Sequence, residues 1–508
     1  MPVNTRPLWL LGLGTILATM MYTIDSTIVN VALPHIQGSL QATQDQAGWI
    51  VTSYIVISAI ATPLGGWLGT RFGLRRLLAI AIAGFTASSM LCGLTTGLQE
   101  MILFRAIQGA FGASLVPLSQ VALLQNFPRS QHAKVMALWG MGVMVGPVIG
   151  PTLGGWLTDS WSWRWAFYIN VPVGIIAWVS MMAALPKSEA DATRPFDGTG
   201  FALLSLAVGL FQLMVDRGET KDWFQSTEII TEAFCAATFF YMYLVHSFTC
   251  RHPFVDIHLF KDRNFSVSLI VMFAIGLTMI STSVLMPGFL QQLQGLTPTQ
   301  AGVLMAARGA AAIIAMVIGA RLQSTIGPRA TTAVGIVISA ISLLMMSHFS
   351  VDTPQAMIVI TGVIQGTGTP LAFMPLSLLA FATLSDRMRT EAGAILTLVR
   401  NIGASIGVSA TIALLTRSAQ INQSYLTEHF TAYSINRWLI SGIVPGANTG
   451  TALLVGELGR QSLGIAYAND FFVLALCTLL PLPLMALLKR SHTPAAQPKS
   501  AQPVTADH

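Results

Sequence analysis

Charge is what this sequence lacks. Asp, Glu, Lys and Arg make up only 9% of its 508 residues, where a soluble chain carries about 25%. That is too few to coat a soluble globule of this size, and the mean hydropathy is +0.65. Cysteine is scarce too. Cys92, Cys235, Cys250 and Cys477 show no CxxC or other metal spacing, so they read as small apolar packing residues. The nine His residues are scattered. There is no P-loop, so no ATP motor is visible, and no Ser/His/Asp arrangement. Neither an enzyme nor a cofactor or metal is expected. No soluble basic domain exists to carry the formal charge of +6, which argues against a nucleic-acid partner.

What the chain has is long apolar runs. Residues 46–70, 77–99, 106–128, 135–158, 165–186 and 330–351 contain no charged side chain. Each reaches or exceeds the roughly 20 residues needed to cross a bilayer. A coarse reading gives about fourteen helices, from 8–33, 47–69 and 77–97 through to 392–416 and 469–488. The first begins after Arg6, but no small-residue cleavage site follows and Asp25 lies within it. It reads as a retained span, not a signal peptide.

The basic residues orient these spans. With the N-terminus placed in the cytoplasm, most of the 27 Lys and Arg fall in cytoplasmic segments, including Arg71, Arg75, Arg76, Arg251, Arg263, Arg321 and Arg329. The external loops around 34–46, 290–299 and 350–354 have none. This is the positive-inside pattern, and it puts both termini on the cytoplasmic side. The expected organisation is a bundle over 8–185, a cytoplasmic linker at 186–197, two helices over 198–249 and a second bundle over 265–488. A long external loop at 417–468 and a Pro/Ala/Gln-rich cytoplasmic tail at 489–508 complete it.

Few polar residues interrupt the spans. Asp25 stands in Ile24-Asp25-Ser26-Thr27-Ile28-Val29-Asn30. A carboxylate there is costly unless paired or solvated, so it is a candidate proton carrier. A structural acid bonded to a neighbouring helix is the plainer alternative. Its nearness to Pro34 leaves open a place at the external end, as a gate. Arg105 keeps its charge when buried and needs acceptors. It pairs with span one, or it snorkels as an interfacial anchor. Arg308 and Arg400 are also inside spans, and Asn401 sits beside Arg400. Gly403 and Gly407 form a GxxxG pair suited to close helix packing. Gly142, Gly146, Gly150 and Gly154 repeat at four-residue spacing with Pro147 and Pro151 between them, one small-residue helix face. The loop Gly66-Trp67-Leu68-Gly69-Thr70-Arg71-Phe72-Gly73-Leu74-Arg75-Arg76 combines a turn with cationic caps.

Taken together, these residues resemble the major facilitator superfamily. The loop Gly66…Arg76, Arg105-x-x-Gln108-Gly109, and Gly146-x-x-x-Gly150-Pro151-x-x-Gly154-Gly155 are similar to its loop, span-four and antiporter span-five motifs. Asp25-x-Thr27-Ile28-Val29-Asn30-Val31-Ala32-Leu33-Pro34, Phe167-Tyr168-Ile169-Asn170-Val171-Pro172 and Arg400-Asn401-x-Gly403-x-Ser405-x-Gly407 resemble the fourteen-span EmrB/QacA-type drug:proton antiporters. The resemblance covers residues 8–488. It implies an all-α polytopic membrane protein with two six-helix bundles plus two additional helices. It also implies export of small amphipathic compounds in exchange for protons, from the inner membrane. A periplasmic membrane-fusion adaptor and an outer-membrane channel would be partners. Asp25 and Arg105 would couple protons, and Asn30, Gln108, Arg400 and Asn401 would line the cavity. Thr70 departs from the family loop, which commonly has Asp there, so a gating charge pair at that point is absent. Two other readings remain open at this level: a carrier of one metabolite or siderophore, and a non-transporting receptor or scaffold.

Overall fold

The structure is a computed structural model that describes residues 8–186, 195–428 and 448–488. All regular elements among the described residues are helical. The first bundle comprises α1 (Leu8–Ser39), α2 (Gln44–Phe72), α3 (Leu74–Leu94), α4 (Leu98–Gly112), α5 (Leu115–Asn126), α6 (His132–Ser160), α7 (Trp165–Tyr168) and α8 (Asn170–Ala184). Two further helices follow, α9 (Gly198–Arg217) and α10 (Thr227–Thr249). The second bundle comprises α11 (Arg263–Gly288), α12 (Pro298–Ile326), α13 (Pro328–Met346), α14 (Gln355–Ala382), α15 (Asp386–Glu428) and α16 (Asn448–Leu479). Thirteen stretches among the described residues are long and apolar enough to cross a membrane. Large apolar side chains such as Trp9, Phe234, Tyr241 and Phe248 stay exposed on the outside, as a lipid solvent permits.

Local chemistry sets the helix ends. Thr43 and Gln46 form a reciprocal capping box at the start of α2, and Thr297 and Gln300 do the same at α12. Each pair satisfies two backbone donors that a helix start leaves orphaned. Gly73 and Gly327 turn the chain between the second and third helices of their bundles at φ +84° and +83°, a conformation that costs glycine nothing. Arg75 then donates to Met182 O at 2.6 Å and Arg329 to Leu488 O at 3.3 Å. These four pairs of equivalent residues are separated by one common interval. They mark an internal repeat that the apolar pattern alone did not reveal.

Packing follows the repeat. In each bundle the first helix packs on the fifth, the second on the fourth and the third on the sixth: α1 on α6, α2 on α4 and α3 on α8, then α11 on α15, α12 on α14 and α13 on α16. Between bundles, α2 packs on α15 and α6 on α12. Second-on-fifth in both directions is the relation of a two-fold axis running between the halves. The fourth and sixth spans of the first bundle are each broken, at Ala113–Ser114 and at Ile169. The expected loop at 417–468 is helical at both ends. The segment after Arg417 has no Gly or Pro as far as Glu428, so nothing stops α15 from closing its own backbone bonds beyond the apolar stretch.

Close contacts between the bundles gather toward the face where α2 turns into α3. There a Cβ on Gly66 would lie 3.1 Å from Glu391 Cα, and one on Gly69 would lie 2.8 Å from Thr390 Cγ2. Trp139 stacks on Phe373 with ring centroids 6.3 Å apart. In this conformation the bundles close against each other on that face. On the opposite half, α9 straps the two bundles. Thr52 of α2 bonds to Asp216 of α9, Gln212 of α9 bonds to Ser405 of α15 at 2.8 Å, and Ser409 Oγ donates to Val215 O at 2.7 Å.

Candidate proton-coupling site

Asp25 and Arg105 form a fully buried ion pair. Arg105 Nη1 lies 2.6 Å from Asp25 Oδ2, and the two side chains are 1% and 0% exposed. The carboxylate is held by two further donors. Gln108 Nε2 donates to Oδ1 at 2.8 Å and Asn170 Nδ2 to the same oxygen at 3.2 Å. Arg105 Nη1 also reaches Gln108 Oε1 at 2.7 Å, and its Nε donates to Ile50 O at 3.3 Å. Tyr54 lies under the guanidinium, 4.1 Å from ring centroid to Cζ. Four helices therefore meet at one ion pair: α1, α4 and α8 through side chains, and α2 through a carbonyl and a ring on the guanidinium.

The sequence puts the members in register. Arg105 and Gln108 are three apart on α4 and so share a face. Gly109 follows because the turn must lie on α2: a Cβ there would collide with the Tyr54 carbonyl. Asn170 is presented at the break between α7 and α8, and it is fixed by Ser89 Oγ at 3.0 Å. Ser89 in turn donates to Phe167 O at 2.9 Å. Asp25 is not at an external end. The helix passes through Pro34 to Ser39, which leaves Asp25 about 21 Å short of that end and without solvent exposure.

The glycine stripe does what small residues allow. Thr27 Oγ1 donates to Gly146 O at 3.0 Å and Thr23 Oγ1 to Gly142 O at 3.3 Å. A Cβ at Gly146 or Gly150 would overlap Thr23 or Thr27, and one at Gly154 would lie 2.7 Å from Ile28 Cγ1. At Gly155 the neighbour is 3.9 Å away, an ordinary contact. α6 thus clamps the turns of α1 on either side of Asp25.

The remaining candidates are not gathered at this site. Arg400 lies 5.8 Å from the Phe373 ring centroid, and its Nη2 reaches Asn401 Oδ1 at 3.3 Å. Both belong to the second bundle. Arg71 and Arg75 sit at the closed face and Arg76 is exposed there. Thr70 Oγ1 bonds within its helix to Gly66 O at 3.2 Å. The side chains of Asn30 and Pro151 lie outside the described residues, as do 187–194, 429–447 and the tail from 489. Tyr54 and Asn170 were missed as site residues. Asn170 carried a signal, since it lies within a quoted family run. Tyr54 had none.

Residues 15–408 match the Major Facilitator Superfamily. The chain is 35% identical over 442 residues to the multidrug export protein EmrB of Haemophilus influenzae, covering 85% of each. It is 32% identical over 476 residues to EmrB of Escherichia coli, covering 93% of each. The fatty acid resistance protein FarB of Neisseria gonorrhoeae is 34% identical over 425 residues, 84% of this chain and 83% of FarB. Among solved structures, the human organic anion transporter MFSD10 superposes with TM-score 0.60 at 12% identity, covering 96% of this chain and 100% of that one. The proton:xylose symporter XylE gives 0.59 at 14%, with the same coverage. Those two likenesses bear on fold alone. The two-fold bundle, the clamped first helix and the match along most of the sequence agree: this chain belongs to the major facilitator superfamily.

Proposed function

We propose that the chain is a proton-driven exporter of small amphipathic compounds, with Asp25 as the coupling carboxylate. The observation that supports this best is the buried pair itself: an acid with no solvent exposure, held by Arg105, Gln108 and Asn170. Protonation would cancel the charge that holds Arg105, while Arg105 stays cationic. The tie between α1 and α4 would weaken, and the clamp of α6 on α1 would carry that change to the bundle interface. Names of relatives such as EmrB and FarB support amphipathic cargo. Half-buried Arg400 and Asn401, with Asn30, are the proposed cavity contacts.

By the positive-inside pattern the closed face is cytoplasmic, so this conformation faces outward. Both termini would then lie in the cytoplasm of a cell with an inner membrane. The helical extensions beyond α15 and α16 would project outward toward a membrane-fusion adaptor and an outer-membrane channel. The division into 8–185, 198–249 and 265–488 is proposed on the packing above. The test is proton movement driven by an exported compound in proteoliposomes. Asp25→Asn should abolish it while leaving the protein folded, and unchanged coupling would remove Asp25 from the role.

A further inference from the structure

The second bundle contains a buried acid that the coupling site does not use. Asp470 on α16 is 1% exposed, and neither Oδ1 nor Oδ2 has a hydrogen-bond partner. No ion pair reaches it among the described residues. Among the described residues, the helices around α16 offer it no counter-charge. α11 carries only Arg263 and α13 only Arg329, both in their first turns at the closed face. On α15, Arg389 and Glu391 are at that same face, Arg400 turns to Phe373 and Asn401, and Arg417 is exposed. Tyr425 and Glu428 lie at its far end, outside the packed bundle. On α16 itself, Glu457 pairs with Arg460, and Tyr467 places its hydroxyl against Gly288, at the end of α11. Cys477 is two turns toward the closed face. An unpaired carboxylate in such surroundings is unfavourable as an anion, and the form that fits is the neutral acid.

Its setting gives that proton a route. Tyr467 and Phe471 flank Asp470 and join Phe289 and Phe349 in a cluster of rings, with neighbouring centroids 5.4 to 6.2 Å apart. Phe349 belongs to the connection between α13 and α14, away from the closed face. Toward the closed face, a cavity between α11, α13, α14 and α16 is lined by Thr278, Ser339, Gln365, Thr369 and Thr478. The rest of its lining, including Ile275, Met279 and Leu343, is apolar, but Ser339 Oγ and Gln365 Oε1 have no protein partner, and two such groups can hold a water between them. Thr478 is eight residues from Asp470 on the same helix, about 12 Å.

We propose that Asp470 is a second proton-carrying site, in the second bundle, loaded from the side opposite the closed face, past the aromatic cluster, and unloaded toward the Gln365 cavity. The proposal rests on the reading of the chain as a proton-coupled exporter. Only an O–H bond is made and broken, with water as donor and acceptor. Each transport cycle then moves one proton more than Asp25 alone carries.

Two measurements test it. Infrared difference spectra of the purified full chain in nanodiscs should show a protonated-carboxyl C=O band at neutral pH that fades as pH rises. The band should vanish in Asp470→Asn and persist in Asp25→Asn. Asn copies the shape of the neutral acid, so the fold should hold, and Asp470→Glu should restore the band. Proteoliposomes with ethidium as probe, one pH unit of gradient and the potential clamped should then give an accumulation ratio about tenfold lower for Asp470→Asn, the value of one proton. Identical spectra and ratios in wild type and Asp470→Asn would overturn the second site alone. A wild type that moves no protons with ethidium would overturn the coupling reading and the second site together.

Discussion

The two bundles share a scaffold and differ in where they place charge. Gly146 and Gly150 clamp α1 at Thr23 and Thr27, and Gly403 and Gly407 clamp α11 at Phe273 and Leu277. Asp25 in the first bundle therefore corresponds to Ile275 in the second. Gly109 rests on the Tyr54 carbonyl and Gly366 on that of Arg308, so Gln108 corresponds to Gln365 and Arg105 to Gly362. The second bundle keeps the glutamine and the glycines but has neither member of the ion pair. It puts Arg308 where the first has Tyr54. The lesson is that backbone clamps repeat because helix packing demands them in both halves, while a buried ion pair is not demanded by the scaffold and stands only where geometry and added hydrogen bonds offset its desolvation.

This contrast can be broken most strongly at the arginines. Arg105→Met strands the Asp25 carboxylate and should cost about 3–5 kcal/mol in unfolding of the detergent-purified protein. Asp25→Asn in the same chain should recover most of that. Arg308 has no ion pair among the described residues, and Arg308→Met should change stability by less than about 1 kcal/mol. Equal losses at the two arginines would mean that Arg308 has an equally strong tie.

The glutamines sharpen the comparison further. Gln108→Leu removes bonds to both charged partners, about 1.5–3 kcal/mol for a charged contact, and should cut proton coupling as well. Gln365 Oε1 is already unpartnered, so Gln365→Leu should be near neutral in stability. The shared clamps should fail alike: Gly146→Val and Gly403→Val should each cost about 1–3 kcal/mol through overpacking, read by thermal unfolding. Small, paired effects are expected at the turns. Arg75→Ala and Arg329→Ala lose a bond to a carbonyl of the sixth helix and of the turn that follows it, respectively, about 1 kcal/mol each, read by thermal unfolding.

Much of this was legible in the chain. Charge-free runs of bilayer length fixed the helices, because a backbone in hydrocarbon must satisfy itself. Asp25 and Arg105 stood out because a charge in such a run is expensive, and Gln108 came with the motif that Arg105 opens. The GxxxG spacings announced close helix contacts, but not which helix would be contacted. Asn170 and Tyr54 went unassigned as site residues, since an amide or a phenol within an apolar stretch is unremarkable until a carboxylate or guanidinium faces it. Asp470 was overlooked because it falls near the edge of a helix whose neighbouring segment is polar.

Composition and periodicity by themselves determined an all-helical membrane-spanning chain and singled out its rare charges, since both depend on local transfer free energies. Only the tertiary structure decided that Asp25 meets Arg105 across α1 and α4, that α9 straps the two bundles, and that Asp470 stands alone. Those facts depend on which helix faces touch, and pairing between residues distant in sequence is a property of packing, not of any single segment.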